Sequence, residues 1–118
     1  MKFREIIAIV KGELITKIAK LDMDVTHISA ADLMSDVLAF AEPESILLTG
    51  LCNPQVVCTA EMADIVAIIF VRDKKPPPET ISLAEEERIP LVSTPYSMFE
   101  ACGCLYQAGL RDIHIPDE

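Results

Sequence analysis

The longest apolar run of the chain is Ile65-Val66-Ala67-Ile68-Ile69-Phe70-Val71. Both alternating faces of this run are apolar, which is typical of a central parallel strand covered by helices on each side. The run is also far shorter than the roughly 20 apolar residues that a membrane-spanning helix requires. It therefore predicts the middle strand of an α/β sheet.

The second half of the chain alternates strands and helices around this run. Gly50 ends the preceding strand, Asn53 and Pro54 are typical of a helix start, and Gly109 is placed to cap the last helix. Three consecutive prolines at residues 76–78 predict a surface loop, since proline fits neither a helix interior nor a central strand. The predicted strands cover residues 45–49, 65–71 and 91–94, and the predicted helices cover residues 53–63, 79–88 and 98–108.

The first half is less regular but indicates the same architecture. Apolar residues at helical spacing predict an amphipathic helix over residues 2–11, which Gly12 ends. Short strands are expected at residues 13–16 and 25–29. A helix over residues 32–40 would have Leu33, Val37 and Phe40 on its inner face. Repeated strand-helix order predicts a three-layer α/β fold with a mostly parallel sheet flanked by helices.

Composition limits the classes of partner. The chain has 118 residues, 51% of them hydrophobic, and a net charge of −9. Its length predicts a single domain over residues 1–118, and its acidity argues against nucleic acid and anionic membranes as partners. The first twelve residues have no signal-peptide pattern, so a cytoplasmic protein is expected.

Reactive side chains offer little sign of catalysis. The chain has no Walker A run and no G-x-G-x-x-G motif, and neither His27 nor His114 belongs to a metal-ligand motif. Cys102 and Cys104 would point away from each other on a helix, which argues against a shared metal ion. We expect no catalytic residue, metal ion or cofactor, and we interpret the cysteines as reduced thiols of the core. These are Cys52, Cys58, Cys102 and Cys104.

The ends of the predicted parallel strands are where a ligand site is expected. In open α/β sheets, ligands bind beyond the carboxyl ends of the strands, beside the helices that follow. The alternative interpretation is that Asn53 and Thr94 only cap helices and that Gly50 only forms a turn. The candidate ligand-binding residues are Thr49, Gly50, Asn53, Ser93, Thr94 and Tyr96, with Asp32 and Ser35 as secondary candidates if the first-half strand joins the same sheet.

Charged residues near these loops have simpler interpretations. Asp32 is expected to cap the helix that follows it, and Asp36 to be solvated. Arg72, Lys74 and Lys75 form the one locally basic segment, which is interpreted as a solvated loop. Residues 85–87, three consecutive glutamates, predict an exposed helical face.

Two segments carry a resemblance to a known family: Asp32-Leu33-Met34-Ser35-Asp36, and Ile89-Pro90-Leu91-Val92-Ser93-Thr94 followed by Phe99. With the apolar segments at residues 46–50 and 64–71 between them, the chain resembles the DRTGG domain family over residues 3–110. The resemblance implies an α/β fold similar to the N-terminal domain of HPr kinase/phosphorylase, which has no kinase chemistry of its own.

Members of that family occur in inorganic pyrophosphatases fused to CBS domains, in phosphotransacetylases and as standalone small proteins. In these settings the domain resembles a regulatory or dimerising module. The Asp-Arg-Thr-Gly-Gly run that names the family is absent here, and the corresponding loop reads Gly50-Leu51-Cys52-Asn53. This loop therefore lacks an arginine for bidentate contact with an anion.

Two hypotheses about function follow. The first is a standalone, non-catalytic regulatory or interaction module that forms a homodimer and acts through a protein partner that the sequence does not identify. The alternative is a sensor that binds a small ligand, a nucleotide or another anionic metabolite, at the carboxyl edge of the sheet.

Overall fold

One five-stranded sheet organises the chain, and the computed structural model describes residues 1–112. The order of the strands is β1-β5-β4-β3-β2, with β1 antiparallel to β5 and every other neighbouring pair parallel. The central strand β4 lies within the longest apolar run, as predicted. The strands are β1 (Glu13–Leu14), β2 (Ile28–Ala30), β3 (Ile46–Thr49), β4 (Ala67–Phe70) and β5 (Leu91–Ser93).

Helices cover both faces of this sheet. They are α1 (Phe3–Ile9), α2 (Met34–Phe40), α3 (Pro54–Met62), α4 (Pro78–Glu87) and α5 (Met98–Gln107). Helices α1 and α5 pack over one face, where Leu48 and Ile69 are buried. Helices α2, α3 and α4 pack over the other face, where Leu47 and Ile68 are buried. Because successive strand residues alternate between faces, this arrangement confirms the three-layer α/β fold.

Within residues 1–112, no helix combines the length and the apolar character needed to cross a membrane.

The helix predicted over residues 32–40 is shorter and more exposed than expected. It begins at Met34, and Val37 is buried as predicted. However, Leu33 is 61% exposed and Phe40 is 70% exposed. Helix α2 has only two turns and lies at the β2 end of the sheet beside α3, so only one side of it meets the core. The inner-face prediction was therefore wrong for Leu33 and Phe40.

Two glycines act differently at the ends of helices. Gly109 follows α5 with φ +108°, which confirms it as the C-terminal cap. After α1, Lys11 takes the left-handed conformation instead, at φ 52°. Gly12 has another reason to be glycine, since a Cβ atom there would lie only 2.6 Å from Val92 Cγ1. Gly12 is thus required by close packing against β5.

Candidate functional site

The sheet topology brings the predicted loops to one edge. Thr49 at the end of β3 pairs with Phe70 of β4, and Phe70 pairs with Ser93 of β5. Because β2 runs parallel to β3, the residues that follow β2 also reach this carboxyl edge. The chain therefore places Asp32 near Thr49, although 17 residues separate them in the sequence.

The Asp32 carboxylate connects two strand ends. Its Oδ1 atom accepts hydrogen bonds from Thr49 Oγ1 at 2.9 Å and from the Gly50 amide at 2.8 Å. The expected capping role was wrong, because α2 begins at Met34 and its N-cap position is occupied by Leu33. Asp32 lies before that helix and orders the loop after β3 instead.

Ser93 and Thr94 are buried at the end of β5, and both hydroxyls are used within the fold. Ser93 Oγ donates to the Lys74 carbonyl at 3.0 Å. Thr94 Oγ1 donates to the Val10 carbonyl at 2.5 Å and accepts from the Tyr96 amide at 3.2 Å. These hydroxyls therefore hold the loop after β4 and the end of α1 in place.

Asn53 lies at the N-cap position of α3 and is exposed to solvent. Within residues 1–112 its side chain makes no capping hydrogen bond. Its amide is therefore open to solvent, three residues after Gly50 in the sequence. Of the other candidates, Tyr96 is half-buried and Ser35 is exposed on α2. Their part in ligand binding stays a prediction.

The basic segment after β4 lies over the same edge. Arg72 and Asp73 are consecutive residues in the left-handed conformation, each at φ 57°. Hydrogen bonds from their amides to the Tyr96 and Thr94 carbonyls, both 2.8 Å, hold this turn. Lys75 pairs with Glu13 at 3.0 Å. This turn positions the side chain of Lys74.

Lys74 supplies a positive charge to the carboxyl edge. The position of a Cβ on Gly50 lies 3.8 Å from Lys74 Cε and 3.7 Å from Asp32 Oδ1, so both side chains flank this glycine. Burial raises the pKa of the neighbouring Cys52 thiol, and the charge of Lys74 offsets part of that effect. We name Asp32, Gly50, Asn53 and Lys74 the carboxyl-edge cluster; an acidic and a basic side chain flank Gly50, and an exposed amide follows it in the chain.

The four cysteines, all within the described residues, are free. The expectation of core thiols was wrong for Cys58, which is exposed on α3; the other three are half-buried, and Cys52 and Cys102 pack against the core. Burial and the nearby charge of Asp112 raise the pKa of Cys102.

Glu85 also differs from its predicted solvated role. Its carboxylate is half-buried and accepts hydrogen bonds from the amides of Lys17 and Ile18, both at 3.1 Å. It connects α4 to the segment after β1, whereas Glu86 and Glu87 are exposed as expected.

In the part of the chain that the structure describes, no group of three or more His, Cys, Asp and Glu side chains is arranged to hold a metal ion. His114 lies outside the described residues. His27 is within them, where its Nδ1 is 2.9 Å from Thr26 Oγ1.

An apolar surface at the opposite end of the sheet from β1 was missed by the sequence analysis. Ala30 of the edge strand β2 lines three neighbouring cavities, of about 140, 390 and 760 Å³. Aromatic side chains from α2 and α5 lie around them. We define the β2-edge surface as Ala30, Phe40, Phe99, Gly103 and Tyr106. The one signal in the sequence was the number of apolar residues in α2, more than a two-turn helix can bury.

Comparisons with known proteins agree with this fold. The DRTGG domain family matches residues 5–108. A solved structure of the CBS and DRTGG domains of the regulatory region of Clostridium perfringens pyrophosphatase, complexed with the activator diadenosine tetraphosphate, superposes with a TM-score of 0.74. The two chains are 15% identical; the match covers 91% of this chain and 46% of the solved chain.

No curated protein matches the chain significantly. The structural likeness, at this low identity, concerns the fold, whereas the family match covers most of the sequence. The chain belongs to the DRTGG domain family.

Proposed function

We propose that this chain is a non-catalytic regulatory domain that forms a homodimer and acts through contacts with a protein partner. The family supports the regulatory part, since the DRTGG domain of the pyrophosphatase belongs to that enzyme's regulatory region. The solved chain of that regulatory region is about twice as long as this one. Its regulation therefore suggests a class of role for this chain and not a specific target.

The exposed apolar side chains are the observation that carries the proposal. Phe99 is 83% exposed, Phe40 70% and Tyr106 62%, and all three belong to the β2-edge surface. Grouped exposed apolar side chains on a small domain are typical of a protein interaction site. Leu33, Leu38 and Met62 are further large hydrophobic residues that are exposed.

The hydroxyl groups at the carboxyl edge support a non-catalytic role. Ser93 and Thr94 donate to main-chain carbonyls, and Thr49 donates to a carboxylate that also holds the Gly50 amide. A nucleophilic hydroxyl needs a base that can take its proton and an open approach for the substrate. Ser93 and Thr94 are fully buried and donate to main-chain carbonyls, so a substrate has no open approach to either hydroxyl.

Sedimentation velocity at micromolar concentrations tests the pairing. We expect a species of twice the chain mass that dissociates on dilution. A strictly monomeric chain across this range would contradict the homodimer.

A small-ligand sensor is the second candidate, favoured by the carboxyl-edge cluster. Lys74 flanks Gly50, and the exposed amide of Asn53 follows three residues later at the start of α3. Such donors suit a phosphate or carboxylate group, and the related pyrophosphatase region was solved with a dinucleotide activator. Thr49, Ser93, Thr94 and Tyr96 would support this site by holding its loops.

Thermal shift tests the sensor with diadenosine tetraphosphate, ATP, acetyl phosphate and citrate as probes. A ligand that binds only the folded chain stabilises it by about 2.7 kcal/mol at 100 times its Kd. We expect the shift to disappear in Lys74→Ala and to persist in Lys75→Ala, since Lys75 pairs with Glu13 away from Gly50. No shift with any of the four probes would contradict the sensor.

A further inference from the structure

One face of α5 is arranged for contact with another protein surface. Phe99, Gly103 and Tyr106 are spaced at i, i+4 and i+7, which places them along one side of the helix. Both aromatic rings are exposed, and they flank a groove of about 760 Å³. The described residues that line this groove are Ala30, Met98, Phe99, Cys102, Gly103, Tyr106 and Gln107, and none of them is charged.

Gly103 leaves a gap in the middle of this face. Glycine inside a helix is less stable than alanine by about 0.5–1 kcal/mol. A Cβ atom at Gly103 would meet no atom of residues 1–112 within 4 Å. At Gly12, by contrast, packing within the chain excludes a Cβ. Residues 1–112 of one copy therefore give no reason for glycine at residue 103, whereas close approach of a second surface does.

The rim of the gap is held in position by the fold. The Arg111 guanidinium stacks 3.9 Å from the centre of the Tyr106 ring, and it donates to the Tyr106 carbonyl at 3.0 Å. The Arg111 carbonyl accepts from the Ile28 amide at 2.9 Å, which ties the end of α5 to strand β2. Because Tyr106 is already ordered, binding against it costs less conformational entropy.

The uncharged lining of the groove along α5 permits a second copy as its occupant. Two copies that each carry a net charge of −9 repel each other at long range, so a contact between them has to avoid like charges. The described residues of this groove bring none into the contact. The exposed rings of Phe40, Phe99 and Tyr106 would contribute roughly 400 Å² per copy, about half of the roughly 800 Å² that a stable interface buries on each partner.

We propose that the occupant is a second copy of this chain, packed so that Phe99 of each copy fits beside Gly103 of the other. In a two-fold interface residue i contacts residue j and residue j contacts residue i, and a ring one turn from a gap has the required complementarity. This inference rests on the homodimer proposed above and assigns its surface.

Sedimentation equilibrium of three variants tests the assignment. Phe99→Ser removes the ring, and Gly103→Arg fills the gap with a side chain for which one copy has room. Both are expected to weaken dimerisation by about tenfold or more, as is typical for central interface residues. Ser82→Arg, on the exposed side of α4, is the matched control and is expected to change the Kd by less than about twofold.

The control separates steric and electrostatic effects. Each arginine variant makes the net charge less negative by one, so general repulsion between copies falls equally in Gly103→Arg and Ser82→Arg. A dimer that persists unchanged in Phe99→Ser and Gly103→Arg would overturn this surface and leave the homodimer intact. A monomeric wild-type chain would overturn both. Melting curves verify that each variant is folded.

Discussion

The Asp32 carboxylate links the end of β2 to the end of β3 through its hydrogen bonds with Thr49 Oγ1 and the Gly50 amide. Thr49 is fully buried, so its hydroxyl depends on a protein partner. A buried donor that loses its partner costs roughly 1–3 kcal/mol. The stability of the loop after β3 is therefore coupled to a residue that follows a different strand.

Asp32→Ala is accordingly expected to lower the free energy of unfolding by about 1–2 kcal/mol, measured by urea denaturation. Asp32→Asn keeps an oxygen acceptor and should lose less than half of that amount. Asp36→Ala is the control, because Asp36 is exposed in the first turn of α2 and contributes only a few tenths of a kcal/mol through the helix dipole. Equal effects of Asp32→Ala and Asp36→Ala would contradict the role assigned to Asp32.

At the scale of single elements, helices α3 and α5 both follow a residue type that is typical of the N-cap position, but the two helices are capped differently. Ser97 Oγ accepts a hydrogen bond from the Glu100 amide at 3.2 Å, as expected of an N-cap serine. Asn53 has the same extended backbone at the start of α3 but, among residues 1–112, no side-chain capping bond. Ser97→Ala should therefore cost about 1 kcal/mol of stability, and Asn53→Ala close to zero.

Chemical denaturation of these two variants measures the difference directly. A loss of stability in Asn53→Ala as large as that in Ser97→Ala would show that Asn53 caps α3 in solution. In that case its amide would not be available to a ligand, and the sensor would lose one of its donors.

Glu85 of α4 makes hydrogen bonds to a segment outside its own helix. The carboxylate accepts from two successive amides, at Lys17 and Ile18, in the segment that leaves the edge strand β1. Glu85→Ala should speed hydrogen exchange of these amides, because it removes the acceptor of both hydrogen bonds. Glu86→Ala, one residue along and exposed, should leave their exchange unchanged. Similar exchange in both variants would contradict this coupling.

At the scale of the whole molecule, the second half was predictable because its strands are buried on both faces. Residues 65–71 have no polar side chain to confuse their assignment, and glycine or proline marks the ends of the neighbouring elements. The first half was harder, since β2 has three residues and α2 two turns. Segments this short contain too few apolar positions to define which face is buried, as Leu33 and Phe40 demonstrate.

The candidate site was predictable only in part, for a reason of topology. Parallel strands deliver their carboxyl ends to one edge, so Thr49 and Ser93 were expected near each other. Asp32 reaches Thr49 only because β2 pairs with β3, and no local pattern in the sequence encodes that pairing. Whether a hydroxyl at this edge is free to contact a ligand also depends on main-chain atoms that are distant in the sequence. Thr94 Oγ1, for example, donates its hydrogen bond to the Val10 carbonyl.

Cysteine accessibility reports on the whole assembly. Cys102 lines the α5 groove, whereas Cys58 is exposed on α3 on the other face of the sheet. Burial and Asp112 raise the pKa of Cys102, so the reactive thiolate is a small fraction at neutral pH and alkylation is already slow.

If a second copy covers the groove, raising the protein concentration through the dimerisation range should slow iodoacetamide labelling of Cys102 several-fold further. Cys58 should label at a constant rate and is the internal control. Peptide mapping by mass spectrometry measures both rates in one sample, and a Cys102 rate that does not change while sedimentation shows a dimer would place the dimer interface on another surface.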